Sequence, residues 1–298
     1  MDVMQDGFRI VERGDEEFPA ELSLLGEDRV PVRMWIRGRI PPPPRIAIVG
    51  TRRPDVTGIQ TARLIAAEAV DRGWAVVSGG AIGIDTAAHE AAIAAGGLTA
   101  VVMGTGPDGV YPAGNAGLFD QIVCTGGGIM TEMAPGATVK KHRFLERNRI
   151  IAALGLSVVV VQAGYRSGAL STARWAQRAG VALFAVPGSP LSRLSEGTNL
   201  LILRGEATIL TRIADPLSPP AGREGGVENP RARLARLVGA EPVTAGELAL
   251  EAGIDARRVQ QLLLDLEIDG SVMRTASGRY VSLTHQGKEC NRPGTRRA

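Results

Sequence analysis

Short apolar runs alternate with helical stretches along most of this 298-residue chain, and that alternation constrains the fold more than any other feature. Stretches such as 61–70 and 85–95 are rich in alanine, which suits close packing of a helix on a sheet. Alternation of this kind predicts βαβ units, with a parallel sheet covered by helices on both faces. The predicted fold is therefore α/β, with a doubly wound, mostly parallel sheet. The predicted strands are 46–49, 74–78, 98–103, 129–133, 156–162 and 181–186.

Glycine loops follow nearly every predicted strand. The carboxyl ends of parallel strands meet at one edge of a sheet, so these loops are expected to line a common crevice, where open α/β sheets bind ligands. Five loops at one edge exceed what strand-to-helix turns require, and the backbone N–H groups at helix starts favour an anion. We therefore predict a phosphate-binding crevice. Its loops are 50–52, 78–85, 104–106, 163–168 and 187–189.

Two arginines follow the first of these glycines. Arg52 and Arg53 come directly after Gly50 and Thr51, and their guanidinium groups are suited to phosphate. The next helix is predicted to begin near Thr57, a good N-cap residue. The alternative is that Gly50 only permits a tight turn and that both arginines are solvated.

A second basic segment, residues 140–149, places five cations against the single carboxylate of Glu146. Cations that neutralise phosphates, together with an aromatic ring that stacks on a base for about 1–3 kcal/mol, are typical of sites for single-stranded nucleic acid. Phe144 is the candidate ring, and the alternative is a solvated helix face with Phe144 in the core. Aromatic residues make up only 4% of the chain, so any sequence preference should be weak.

Catalytic and metal-binding residues are not apparent. The three histidines, His89, His142 and His285, are dispersed along the chain, and no nucleophile and base or metal set emerges. Asp85 and His89 are four residues apart, but two ligands do not make a metal site. We expect Asp85 to form a hydrogen bond at a helix start that orients the preceding loop. No cofactor is predicted.

The sequence also predicts how the chain divides. Residues 1–44 are a lead-in segment, 45–213 the sheet domain, 214–230 a linker and 285–298 a basic tail. Residues 231–284 have the pattern of a small C-terminal winged-helix domain, with three amphipathic helices and a hairpin. Its helices are predicted at 231–238, 244–252 and 255–268, and its hairpin strands at 271–274 and 279–283.

The location is predicted to be cytoplasmic. No apolar run approaches the roughly 18 residues that span a bilayer, and the first residues have no basic and apolar export signal. Cys124 and Cys290 are too few for a disulfide framework, which fits a reducing compartment. We predict no membrane partner.

A series of motifs extends over roughly residues 15–210: Val49-Gly-Thr-Arg52, Ser78-Gly-Gly-Ala-Ile-Gly-Ile-Asp85, Tyr111-Pro-Ala-Gly-Asn115, Phe144-Leu-Glu-Arg-Asn-Arg149, Ser167-Gly-Ala-Leu170, Pro187-Gly-Ser189 and Gly197-Thr-Asn199. In order and spacing they resemble the DNA-processing protein A family, also called DprA or Smf. The winged helix resembles the C-terminal domain of that family. We expect no counterpart of the N-terminal helical domain found in many members, and Leu145 stands where the family usually has proline.

The resemblance implies a Rossmann-like domain that binds single-stranded DNA, forms a homodimer and helps to load RecA recombinase during natural transformation or DNA recombination. It implies no catalytic turnover. The DNA-binding residues that it implies are Gly50, Thr51, Arg52, Gly79, Gly80, Gly83, Lys141, Phe144, Arg147, Asn148, Arg149, Ser167 and Gly168, with Lys140 as an alternative to Lys141.

Two alternative functions remain. Nucleotide phosphoribohydrolases with a similar fold use a glutamate in a glycine loop, but this chain has no Asp or Glu between Ala163 and Ser195. The other alternative is a transcription regulator whose sheet senses a nucleotide and whose winged helix binds duplex DNA. Acidic residues at the end of the third predicted helix, Asp265, Glu267 and Asp269, leave its role open between duplex DNA and a protein partner.

Overall fold

The computed structural model describes residues 7–217, 230–239, 241–252, 256–268, 270–275 and 277–283. The chain divides into two compact units, Met1–Gly226 and Val227–Ala298, which are described separately. The predicted basic tail 285–298 and most of the predicted linker 214–230 lie outside the described residues, as does His285.

A sheet of nine strands forms the centre of the described part of the larger unit. Its spatial order is β1-β2-β6-β5-β4-β3-β7-β8-β9. Strands from β6 to β9 in that order pair in parallel, whereas β1 and β2 are antiparallel, so the predicted mostly parallel sheet is confirmed. The strands are β1 (Arg9–Glu12), β2 (Arg33–Gly38), β3 (Arg45–Val49), β4 (Ala75–Ser78), β5 (Thr99–Val102), β6 (Gly128–Thr131), β7 (Ser157–Val160), β8 (Ala182–Ala185) and β9 (Thr208–Ile209).

Residues 1–44 differ from the predicted lead-in segment. Their described part contributes β1 and β2 to the sheet, where Trp35 of β2 pairs with Thr131 of β6. Met34 and Ile36 of β2 are buried, so this hairpin belongs to the core of the larger unit. A boundary at residue 45 therefore does not separate two structural units.

Helices cover both faces of the sheet, which confirms the doubly wound arrangement. On one face, α4 and α5 pack with the short 3₁₀ helix Ala20–Leu25 on a core that includes Ile150 and Ala173. On the other face, α1 and α2 pack on a core that includes Ile65 and Ala88. The helices are α1 (Val56–Asp71), α2 (Ile84–Ala94), α3 (Ala116–Cys124), α4 (Lys141–Leu154), α5 (Ala169–Arg178) and α6 (Glu196–Leu203).

The chain reverses its direction across the sheet beside β3. Strands β3 to β6 add successively on one side, and the chain then returns to place β7 on the other side of β3. The loops after β3 and β7 therefore diverge at a topological switch point, where ligands bind in open α/β sheets. A backbone hydrogen bond of 2.7 Å from Thr51 N–H to the Gln162 carbonyl joins these two loops.

The smaller unit has the predicted winged-helix pattern. Its elements are α7 (Pro230–Leu237), α8 (Ala245–Ala252), α9 (Ala256–Ile268), β10 (Val272–Arg274) and β11 (Tyr280–Ser282), and the two strands pair antiparallel. The capping box is present, because Thr244 N–H donates to the Glu247 carboxylate at 2.8 Å and Glu247 N–H donates to Thr244 Oγ1 at 3.2 Å. Across the described residues of both units, no helix combines the length and apolar character needed to cross a membrane.

Candidate functional site

A small crevice lies where the loops after β3, β4 and β5 meet the first turn of α4. The empty space within its walls, including solvent at its open mouth, is about 260 Å³. Three predicted site residues, Arg52, Gly79 and Phe144, lie in its wall. The other lining residues are Ala81, Ile82, Tyr111 and Pro112.

Phe144 lies at the centre of this wall. The guanidinium carbon of Arg52 is 5.6 Å from the centre of its ring, and the Tyr111 ring is 5.4 Å away at an angle of 60°. Gly104 leaves the space that the ring occupies, because a Cβ at this position would lie 2.8 Å from Cδ1 of Phe144. The aromatic ring therefore lines the crevice instead of filling the core.

The turn that carries Arg52 is held by a residue of the loop that follows β7, Gln162. Oδ1 of Asp55 accepts hydrogen bonds of 2.8 Å from both Gly58 N–H and the Gln162 side-chain amide. Both hydrogen bonds lower the pKa of Asp55, and the bond from Gly58 has the larger effect. Asp55 is thus the N-cap of α1, which corrects the predicted start at Thr57. These contacts leave Arg52 itself exposed, and no carboxylate in the described part of the chain pairs with it.

Two buried charged residues hold the glycine loop after β4. Oδ2 of Asp85 accepts from Gly79 N–H at 3.2 Å and from Ala81 N–H at 3.3 Å, as predicted for this helix start. Nη1 of Arg147 donates to the carbonyls of Gly79, at 2.7 Å, and Val102. A Cβ on Gly79 would lie 2.6 Å from the Arg147 guanidinium and 2.7 Å from the Asp85 carboxylate, so only glycine fits between them.

These two side chains also set the charge beneath the crevice. Burial raises the pKa of the Asp85 carboxyl, and the charge of Arg147 counteracts this effect. Burial lowers the pKa of Arg147 to about 10, a shift that Asp85 opposes and Arg52 increases. Arg147 therefore stays charged at neutral pH, and its guanidinium carbon lies 5.8 Å from the centre of the Phe144 ring.

The glycine loop offers backbone donors to a ligand. Among the described residues, the N–H groups of Gly80, Ile82 and Gly83 have no hydrogen-bond acceptor. The carbonyl of Gly80 is fixed by a 2.9 Å hydrogen bond from Asn115 Nδ2, and Gly80 and Gly83 have φ angles of 65° and 95°. Free N–H groups beside an exposed arginine form an arrangement suited to a phosphate group.

The remaining predicted site residues occupy different positions. Gly50 and Thr51 lead into the Arg52 turn, and Lys141 is exposed at the start of α4, three residues before Phe144. Ser167 and Gly168 do not line the crevice with Arg52. The Gly168 carbonyl instead accepts a 3.2 Å hydrogen bond from Asn148 Nδ2. This bond between Asn148 and Gly168 connects α4 to the start of α5.

Two predicted DNA contacts require correction. Arg147 is only 4% exposed, and it supports the glycine loop from below because its Nη1 donates to the backbone carbonyls of Gly79 and Val102. Arg149 forms a two-pronged ion pair with Glu132 and donates at 3.0 Å to the Arg29 carbonyl, so its charge is already neutralised. The basic segment 140–149 is therefore not a uniform cationic surface.

The sequence interpretation also missed crevice residues. Tyr111 and Pro112 line the crevice, and Asn115 fixes Gly80, whereas Ile82 lies in the predicted crevice loop 78–85. A signal was present, because Tyr111-Pro-Ala-Gly-Asn115 is one of the motifs and follows the glycine loop at 104–106.

No metal site is found among the described residues, where no group of three or more His, Cys, Asp or Glu side chains is placed to hold an ion. His89 is fully buried, and its Nδ1 lies 2.7 Å from Thr99 Oγ1. Because Thr99 Oγ1 donates to the Val76 carbonyl, Nδ1 of His89 is the donor in this contact. His89 is therefore a neutral core residue that is bonded to Thr99 and not to Asp85.

Two family models match the chain. The model described as DNA recombination-mediator protein A matches residues 9–219, and the model of the DprA winged helix domain matches residues 216–278. Protein Smf of Escherichia coli is 30% identical over 297 residues, an alignment that covers 94% of this chain and 78% of that protein.

Two solved structures are also similar. DNA processing protein A from Streptococcus pneumoniae is 37% identical with a TM-score of 0.64, and the match covers 71% of this chain and 74% of that chain. DNA processing protein A from Helicobacter pylori is 31% identical with a TM-score of 0.62, and the match covers 71% of this chain and 95% of that chain. The Helicobacter pylori structure concerns how that protein binds single-stranded DNA.

Proposed function

The chain belongs to the DNA recombination-mediator protein A family, and we propose that it binds single-stranded DNA in the crevice and helps to load RecA recombinase onto that strand. The proposed setting is DNA recombination or natural transformation in the cytoplasm, with the protein acting as a homodimer. The function requires no turnover of the DNA and no cofactor.

The observation that carries this proposal is the contact between Arg52 and Phe144 beside the glycine loop. The guanidinium of Arg52 neutralises a phosphate, the unbonded N–H groups of Gly80 and Gly83 donate hydrogen bonds to its oxygens, and the Phe144 ring faces a base. Each of these contacts is available to any sequence. The binding of single-stranded DNA to the similar protein from Helicobacter pylori also supports the proposal.

The phosphoribohydrolase alternative requires a glutamate in a glycine loop, and this chain has none there. The loop that follows β7 and the start of α5 contain no Asp or Glu, and Asp85 is committed to backbone N–H groups. The regulator alternative predicts stronger binding to duplex DNA than to single strands.

A titration of the whole chain with matched single-stranded and duplex DNA tests the proposal. We expect single strands to bind more tightly, with similar affinity for different sequences of one length. Preferential binding to the duplex would favour a regulator, and release of free base from a nucleoside monophosphate would favour a hydrolase.

RecA loading requires its own test. We expect the protein to shorten the lag of RecA filament formation on strands already covered by a single-strand-binding protein. An unchanged lag, measured with protein that binds single strands normally, would separate DNA binding from RecA loading and contradict the second part of the proposal.

A further inference from the structure

A long acid-free part of the chain lies beyond the crevice. Residues 147–195 contain six arginines and no Asp or Glu. Arg147 and Arg149 are held by the contacts described above, which leaves four arginines that the crevice does not use. These four are all exposed: Arg166, Arg174, Arg178 and Arg193.

Trp175 organises the arginines at one place on this surface. The guanidinium carbon of Arg178 lies 5.0 Å from the centre of the indole ring, and that of Arg29 lies 5.2 Å from it. Arg174 is the adjacent exposed residue of α5, one helical turn before Arg178. No carboxylate within the described residues forms an ion pair with Arg29, Arg174 or Arg178, and this group around Trp175 is called the α5 arginine surface.

The α5 arginine surface is close to the crevice. Both α4 and α5 begin at the crevice edge of the sheet and pack against each other, and Trp175 is the seventh residue of α5, about 9 Å along its axis. A hydrogen bond of 3.0 Å from Arg149 of α4 to the Arg29 carbonyl ties the far side of the surface to α4. Arg166 is exposed in the loop between the crevice edge and α5.

We propose that the α5 arginine surface binds phosphates of the same DNA strand after it leaves the crevice. This inference rests on the proposed function and extends it, because it assigns a second contact that only a longer strand can reach. The ligand is the sugar-phosphate backbone, because the surface presents exposed guanidinium groups around the indole ring and their donors match phosphate oxygens.

The chemistry of the surface favours this ligand. Arginine presents a planar set of donors that matches phosphate, and contact with the indole restricts the motion of the guanidinium groups before the strand arrives. No Asp or Glu lies on α5, so Arg174 and Arg178 have no acidic neighbour along the helix. A strand whose repeated phosphates already occupy the crevice, at the first turn of the neighbouring α4, is the complementary partner.

The test compares Arg174→Gln/Arg178→Gln with the unchanged protein on two oligothymidylates. One oligonucleotide is just long enough to fill the crevice, and the other is several times longer. We expect unchanged affinity for the short strand, about tenfold weaker binding of the long strand, and a salt slope for the long strand lower by about 1.4.

Arg63→Gln/Arg72→Gln is the control, because it removes two exposed arginines, one in α1 and one directly after it, on the opposite face of the sheet. Equal affinity and salt slope of the α5 variant and this control on the long strand would overturn the inference. The inference would also be overturned if the α5 variant bound DNA normally but no longer bound polyglutamate, because the ligand of this surface would then be an acidic protein. If the unchanged protein binds neither oligonucleotide, the proposed function itself fails.

Discussion

Asp85 and Arg147 hold the backbone of Gly79 from opposite sides: the Asp85 carboxylate accepts from its N–H at 3.2 Å, and the Arg147 guanidinium donates to its carbonyl at 2.7 Å. Both side chains are buried, at 6% and 4% exposure, so neither is free to contact a strand directly. Their role is to fix the loop that presents free N–H groups to the crevice. Arg147 is therefore a positioning residue.

Removal of the Arg147 charge should destabilise the fold. In Arg147→Met the carboxylate of Asp85 stays buried without its counter-charge, which typically costs about 3–5 kcal/mol. Urea denaturation at neutral pH measures the loss. A second variant, Asp85→Asn/Arg147→Met, removes both charges and should recover part of the free energy of unfolding. If the loss in the double variant equals the sum of the losses in Arg147→Met and in Asp85→Asn, the two charges are not coupled.

Replacement of Arg52 should affect DNA binding without a comparable loss of stability. Arg52→Ala removes one exposed cation over Phe144, so we expect weaker binding of every sequence and a salt slope lower by about 0.7. Fluorescence anisotropy over a series of salt concentrations measures both. Arg53→Ala is the matched control, because Arg53 is the adjacent exposed arginine and does not line the crevice. Equal effects of the two substitutions would exclude a specific role for Arg52.

Displacement of the Phe144 ring should weaken binding even when the ring remains present. The new methyl group in Gly104→Ala would lie 2.8 Å from Cδ1 of Phe144, so the ring must move. We expect the loss of part of the 1–3 kcal/mol that stacking of a base contributes. Gly114→Ala is the control, since its Cβ would meet no atom within 4 Å. Unchanged affinity in Gly104→Ala would show that no base stacks on this ring.

The strands between residues 45 and 185 are predictable from the sequence because they are short apolar runs that end in glycine loops. The strand β2 is not predictable in this way. Its apolar run is only Met34–Ile36, between Arg33 and Arg37, and it is stabilised by antiparallel pairing with β6, which lies about 90 residues later in the chain. The two-residue strand β9 likewise depends on pairing with β8.

The position of the crevice follows from the order of the glycine loops, but the direction of each side chain does not. Arg147 and Arg149 lie two residues apart on α4, and their spacing does not indicate which of them points into the sheet. Contacts with other elements decide the direction of each side chain. The carbonyls of Gly79 and Val102 accept hydrogen bonds from Arg147, and Glu132 forms an ion pair with Arg149. Such long-range partners are invisible in a local pattern.

His89 should make the stability of the fold depend on pH. Burial, and then the charge of Arg147, lower the pKa of His89 to about 3, whereas an unfolded histidine titrates near pH 6.5. The unfolded chain therefore binds more protons between these values. The contribution of His89 to the free energy of unfolding is fully present above about pH 6.5. It decreases by up to about 1.4 kcal/mol for each pH unit as the pH falls toward 3.

The variant His89→Leu isolates this contribution. Asp85 has a raised pKa and therefore gives the opposite dependence at acidic pH, but it is present in both proteins and cancels in their difference. We expect the stability gap between the two proteins to narrow by about 1.4 kcal/mol for each pH unit below 6.5, as measured by urea denaturation. His142→Gln, a change at an exposed histidine of α4, is the control for the loss of a histidine as such. A gap that stays constant from neutral to acidic pH would mean that His89 is not held neutral in the core.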